Sequence, residues 1–279
     1  FDMGVFISLK KKTAMTSIKN FNKDKIDSSI NDLINFVNKI KPNKEFLGIA
    51  KGPFKYKKIE DTYDKKAENF NPVDFVEASI DKALEQGAKR CSGFGEVETT
   101  GAYLVTSGDV EAEDKGSLFN ISIRALYDKE SSGHSTFTSR ILNKFNYLEA
   151  AEEAGIICKD SINPEKGKEG KYDVIFSPMA FAPLLDRIGE SASIFNAEVG
   201  LSFLSKLKNK KVANHNFNLY DDATLNNGIG SSLFDAEGYP SQRTQIISNG
   251  VLRNYLHNTS TARRYKTKST GNAGLISPD

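Results

Sequence analysis

Two carboxylates and a guanidinium stand close together in residues 171–193, KYDVIFSPMAFAPLLDRIGESAS. The apolar run at 172–176 reads as a short strand. Ser177-Pro178 then opens an amphipathic helix whose outer face carries Asp186, Arg187 and Glu190. Carboxylates at i and i+4 share one helical face. Just past a strand end, such a pair can act as acid and base or offer oxygen ligands to a metal. The same spacing also describes an ordinary solvated face. Two oxygens fall well short of the roughly six or more that a hard cation takes.

Other chemistry has weaker footholds. His134, His215 and His257 lie in unrelated segments, with no HExxH, HxH or HExxxH spacing. No serine stands in a G-x-S-x-G elbow, and no glycine-rich phosphate loop opens a helix. Cys91 follows Arg90, which could activate a thiol, but a small residue within a strand reads equally as filler. The runs KLKNKK at 206–211 and RRYKTK at 263–268 are basic; the second interleaves an aromatic with cations, as a nucleic-acid contact or a peptide contact would. Against 38 basic residues stand 36 acidic ones, a net charge of +2 that makes no general case for nucleic acid or a membrane surface. No apolar run approaches the roughly 20 residues of a membrane span. Two separated cysteines without a CxxC, and no leader-like start, lead to the expectation of a reduced, cytoplasmic protein. The chain opens at Phe1 within a strand-like run and stops after a glycine-rich turn, which reads as an internal portion of a longer protein.

The elements that would position these residues follow from periodicity. Residues 24–40 place Ile26, Ile30, Leu33, Ile34, Val37 and Ile40 on one helical stripe. Residues 41–71 read as a long charged surface connection. A helix then begins at Asn71-Pro72, buries Phe75, Val76, Ile80, Ala83 and Leu84, and ends at Gly87. From 88 the period becomes two: Phe119, Ile121, Ile123, Ala125 and Tyr127 alternate with polar neighbours in an antiparallel sheet. A helix over about 147–156 precedes a polar linker, KDSINPEKGKEGK. Beyond it, Asn196 heads a helix with Val199, Phe203, Leu204 and Leu207 inward. RTQIIS and VLRNYLHN flank Asn249-Gly250, a strong hairpin signal. The expectation is an α+β protein, with mixed or antiparallel sheet and helices over 1–165 and a β-rich part with hairpins over 171–279.

The order of features after 171 is specific. YDVIFSP leads into a helix, then come LYDDATL, SSLFDAEGYPSQRTQIISNGVLRNYLHNTSTA and STGNAG. This resembles the TldD/PmbA family, also called modulators of DNA gyrase, and the first half fits it more loosely. TldD-type members carry HExxxH on the helix after the YDVIFSP-like strand. With Gly189 matching the motif glycine, the first histidine falls at Leu185, the glutamate at Asp186 and the second histidine at Glu190. The resemblance therefore implies a PmbA/TldE-type chain without zinc ligands or catalytic residues of its own, a non-catalytic subunit of a heterodimeric zinc metallopeptidase. Zinc is expected in the TldD-type partner, with this chain helping to enclose a chamber and holding an extended peptide along a sheet edge. A metal-free, homo-oligomeric peptide-binding scaffold is the other reading. Asp235, Glu237, Gly238, Arg243, Asn249 and Gly250 are the candidates for facing peptide or partner. A simple turn into the hairpin is the plainer account of FDAEG.

Overall fold

The computed structural model describes residues 2–19 and 22–274. The chain begins with an antiparallel pair, β1 (Asp2–Leu9) and β2 (Lys12–Lys19), against which α1 (Lys23–Lys39) packs. Asn22 Oδ1 caps α1 by accepting from Lys25 N at 2.9 Å. Leu33 and Val37 are the buried members of the expected stripe, and they meet Ala14, Val5 and Ile7 of the pair.

The central sheet has the order β3-β4-β5, all antiparallel. β3 (Arg90–Thr106) and β4 (Val110–Leu126), 17 residues each, form a long hairpin, and β5 (Ser132–Ser139) pairs with the C-terminal half of β4. Phe119, Ile121, Ile123 and Ala125 are buried, so the period-two reading places the right face inward. α2 (Val73–Glu85) and α3 (Tyr147–Asp160) cover that face. Close approach depends on small residues. A Cβ on Gly133 would stand 2.1 Å from Ala154 O, so α3 sits directly on β5 there. On α2, Ile80 and Leu84 are rim residues, while Ser79 is buried with its hydroxyl bonded to Phe75 O at 2.7 Å.

The third sheet is β6 (Leu219–Asp222), β7 (Arg243–Ser248) and β8 (Val251–Leu252), with β7 in the middle. It packs with α5 (Ile194–Glu198) around Ile194, Leu204, Ile246, Ile247, Leu252 and Tyr255. α4 (Pro178–Ser191) precedes α5, and α6 (Thr259–Arg264) follows the sheet. The described residues thus form an α+β structure with three antiparallel sheets.

Several expectations need correction. Residues 172–176 are not a strand: they pair with no described strand, and Ile175 is 99% exposed. An apolar run becomes a strand only where a neighbour takes its backbone hydrogen bonds. The helix expected from Asn196 ends by Gly200, whose φ of +79° leaves the helical region, so Val199 and Phe203 are exposed, while Leu204 is buried and Leu207 packs half-buried against the same core. KLKNKK accordingly lies in turns and not at a helix end, with Lys206 and Asn209 at positive φ. The hairpin return is a two-residue strand, because Arg253 N and Asn254 N both turn back to Ile246 O. Residues 41–71 are more than a surface connection, since Phe46, Ala50, Ile59 and Ala67 are buried.

Candidate functional site

α4 starts as its sequence directs, with Ser177 Oγ accepting from Ala180 N at 3.3 Å and Pro178 in the first turn. Leu185 is half-buried, whereas Asp186, Arg187 and Glu190 are exposed. Arg187 Nη1 donates to Glu190 Oε2 at 2.7 Å, and that bond raises the guanidinium pKa further above its ordinary value. Leu185 offers no donor atom, and the Glu190 carboxylate is engaged by its neighbour. These three positions do not fit a zinc site. Among the described residues, no group of three or more His, Cys, Asp or Glu side chains is arranged to hold a metal ion.

The last turn of α4 borders a cavity of about 310 Å³, lined among others by Glu190, Phe195, Glu237, Asn258, Thr261 and Asn272. Glu237 and Asp235 belong to the FDAEG turn, and both are buried. Asp235 Oδ1 accepts from Glu237 N and Tyr239 N, each at 2.9 Å, and Oδ2 accepts from Ala273 N at 3.0 Å. Glu237 Oε2 accepts from Ala50 N at 3.0 Å. Burial pushes both carboxyl pKa values up, and the amides that donate to them partly offset it. Gly238, at φ +77°, donates from N to Asp235 O at 2.9 Å and accepts at O from the Tyr56 hydroxyl at 2.8 Å. FDAEG is therefore a clasp: it joins residues 50–56 to the segment near 273 through buried backbone bonds.

On its other side the clasp floors a larger groove, about 650 Å³. One wall is β1 through Asp2, Gly4, Val5 and Phe6; the other is β3 through residues 101–106. Both walls are sheet edges, since β1 pairs only with β2 and β3 only with β4 among the described residues. Tyr103 and Val105 project outward from β3, 66% and 62% exposed. Leu104 turns toward the clasp, where a Cβ on Gly238 would meet it at 2.9 Å. Two unpaired edges facing one groove, with apolar side chains between them, can accept an extended chain through main-chain hydrogen bonds. Glu237 lies in the wall shared by groove and cavity.

The remaining sequence-derived residues are elsewhere. Arg243 sits on β7, 3.5 Å from Asp222 and over the Tyr220 ring at 4.1 Å. Asn249 and Gly250, at φ +49° and +75°, make the β7–β8 turn, and a Cβ on Gly250 would strike Ala213 O at 2.5 Å. Burial raises the Cys91 and Cys158 thiols, the opposite of activation. His134 pairs with Ser122 Oγ at 3.0 Å across β4 and β5. Ala50, Tyr56, Leu104 and the β1 edge escaped sequence reasoning. Their roles arise from contacts more than a hundred residues away, for which no local signal exists; only the edge-like alternation of GAYLVT could have pointed to the groove.

Residues 169–278 match the family model described as the PmbA/TldA metallopeptidase C-terminal domain. The chain belongs to the PmbA/TldD family. An uncharacterized protein of Methanocaldococcus jannaschii is 31% identical over 225 residues, 79% of this chain and 53% of that protein. A metalloprotease TldD homolog of Buchnera aphidicola from Acyrthosiphon pisum is 40% identical over 215 residues, 72% of this chain and 44% of the relative. The chain thus spans about half the length of these curated relatives. In fold it is similar to the crystal structure of TldE from Thermococcus kodakarensis, with TM-score 0.83 and 18% identity over 98% of this chain and 68% of that one. No helix among the described residues is long and apolar enough to cross a membrane.

Proposed function

We propose that this chain is the non-catalytic, TldE-like subunit of a two-subunit zinc metallopeptidase, and that its groove between β1 and β3 holds an extended peptide. The observation that carries the reading is α4. Where TldD-type relatives are expected to present HExxxH, this helix has Leu185, Asp186 and Glu190, with Glu190 bonded to Arg187. Hydrolysis then belongs to a TldD-type partner that supplies zinc and the catalytic glutamate. This chain binds and aligns substrate: strand addition at a sheet edge recognises backbone, which is common to all peptides, and selects weakly among side chains. Val5, Phe6, Leu104 and Val105 add apolar contact without requiring a particular residue. Asp235 and Glu237 hold the groove floor together by accepting from the amides of Ala50, Glu237, Tyr239 and Ala273.

A homo-oligomeric peptide-binding scaffold is the second reading, favoured by one observation: both walls and the floor of the groove come from this chain alone. Native mass spectrometry of the full-length protein, purified from its own cells without chelators, separates the two. A heterodimer with one zinc per pair, lost when the partner dissociates, is the expected result. A zinc-free assembly of this chain alone overturns the subunit reading and leaves the scaffold.

A further inference from the structure

The basic run at 206–211 plays no part in the groove or the clasp, yet two of its lysines converge on a third cavity. That cavity, about 510 Å³, has a buried floor of Ile194, Tyr255 and His257, and walls that include Lys206, Lys208, Tyr265, Thr267 and the carboxylate of Glu198. Lys206 is held at φ +60°, in a tight turn that brings it to the same rim as Lys208 two residues on. The ion pairs at this wall are made by Arg264, which reaches Glu45 at 2.7 Å and also binds Glu198. Tyr265 directs its hydroxyl to the same Glu198. The carboxylates near the cavity are therefore consumed by Arg264 and Tyr265, and neither lysine has an acidic partner among the described residues.

The floor is polar at one point. His257 is 5% exposed, with Nδ1 3.3 Å from Thr261 Oγ1 and its ring 5.6 Å from that of Tyr265. Tyr255 uses its hydroxyl on Leu204 O at 2.6 Å, so the polar side chain of the floor that is left for a ligand is His257. Two lysines without ion pairs and a buried imidazole lining one cavity, with Thr267 beside them, make a receptor for a small group carrying delocalised negative charge.

We propose that this cavity is an anion-binding site for a compact oxyanion, a phosphate or carboxylate group of a small ligand, held by Lys206 and Lys208 over His257. The site does not depend on the peptidase reading, since it is lined by α5, the turns at 201–210 and the segments on either side of α6, and shares no residue with the groove. Burial, joined by the weaker field of Lys208 and Arg264, lowers the His257 pKa to about 4. A bound oxyanion offsets that field, so binding and protonation of His257 favour each other.

The test titrates the full-length protein with inorganic phosphate, and separately with acetate, at ionic strength held constant with chloride. Calorimetry reads affinity, and the His257 ring-proton NMR shift reads its pKa. Saturable binding of phosphate or acetate is expected, weakened about tenfold or more in the exposed double variant Lys206→Gln/Lys208→Gln, with His257 titrating about one unit higher when the anion is bound. Phosphate binding alone assigns the site to a phosphorylated ligand; binding of both anions assigns it to oxyanions including carboxylates. No saturation by either anion, or equal affinity in the double variant, overturns the proposal.

Discussion

At the scale of single residues, the strongest constraints are steric and electrostatic, and each gives a measurable sign. Gly238 has positive φ, and its missing Cβ would stand 2.4 Å from Val110 Cγ1. Gly238→Ala therefore costs about 2 kcal/mol in urea unfolding, from backbone strain and overpacking together. Gly189 on α4 has open space around it, so Gly189→Ala gains roughly 0.5–1 kcal/mol in the same assay. His257 supplies the pH dependence. Its folded-state pKa of about 4 lies below the ordinary 6.5, so its contribution to stability is present above pH 6.5 and lost as pH falls toward 4. Glu198 lies on the same cavity wall, but Arg264 and Tyr265 engage it. Asp235 and Glu237 have raised pKa values and act with the opposite sign, their contribution being lost as pH rises. The His257 effect is accordingly read as a difference from His257→Gln. Between pH 7 and pH 4 the wild type should lose about 2–3 kcal/mol more than the variant. Parallel curves for the two would refute the assignment.

At the scale of elements, two sheet edges define the groove, and their chemistry is that of the main chain. A peptide added to β1 or β3 should lose about tenfold in affinity when alternate backbone amides are N-methylated, while single side-chain changes to alanine matter less. Fluorescence anisotropy of labelled peptides checks this; dependence on side chains with indifference to N-methylation would point to pocket recognition. The elements differ in how plainly the sequence announces them. Phe119, Ile121, Ile123 and Ala125 alternate, and β4 is where they lie; the stripe from Ile26 lies on α1 as far as Val37, and its last member, Ile40, is the C-cap. Such patterns are legible because burial against a sheet or helix imposes a period on the chain itself. The run at 172–176 has strand composition yet pairs with no described strand, because pairing is a property of a neighbour. Within the candidate site, Leu185, Asp186 and Glu190 on α4 and Asp235 and Glu237 in the FDAEG turn stood out by type and spacing. Their partners did not: nothing near Ala50 signals a bond to a carboxylate 187 positions away.

At the scale of the whole molecule, the polar linker near 161–171 suggests two separable parts, but the contacts across it argue otherwise. Residues 45–63 run from the first part over the second. Leu47 N donates to Ser260 Oγ at 2.8 Å, Arg263 Nη1 to Leu47 O at 2.6 Å, Asn227 N to Glu60 O at 3.1 Å, and Tyr56 stacks near Phe234. Arg140 adds a buried rivet. Its Nη1 donates to Ser231 O at 2.7 Å and lies within 3.4 Å of the carbonyls of Gly228 and Ile229. Burial lowers its pKa, and nearby Asp114 partly restores it. The Arg140–Ser231 bond is buried and those of Leu47 N and of Arg140 to Gly228 and Ile229 are half-buried, so leaving these partners unmet costs more than losing the exposed Arg263 contact would. Cleavage within the exposed stretch 163–170 should therefore yield two fragments that co-elute as one species in gel filtration without denaturant. Arg140→Leu, which strands the three carbonyls, should lower stability by about 2–3 kcal/mol and let the nicked halves separate at lower urea. Fragments that part at once after cleavage would mean that the long-range bonds contribute little, and that each half holds its own fold. Co-elution would mean that the groove is a property of the whole chain: its β1 and β3 walls lie before the linker, and its Asp235–Glu237 floor after it.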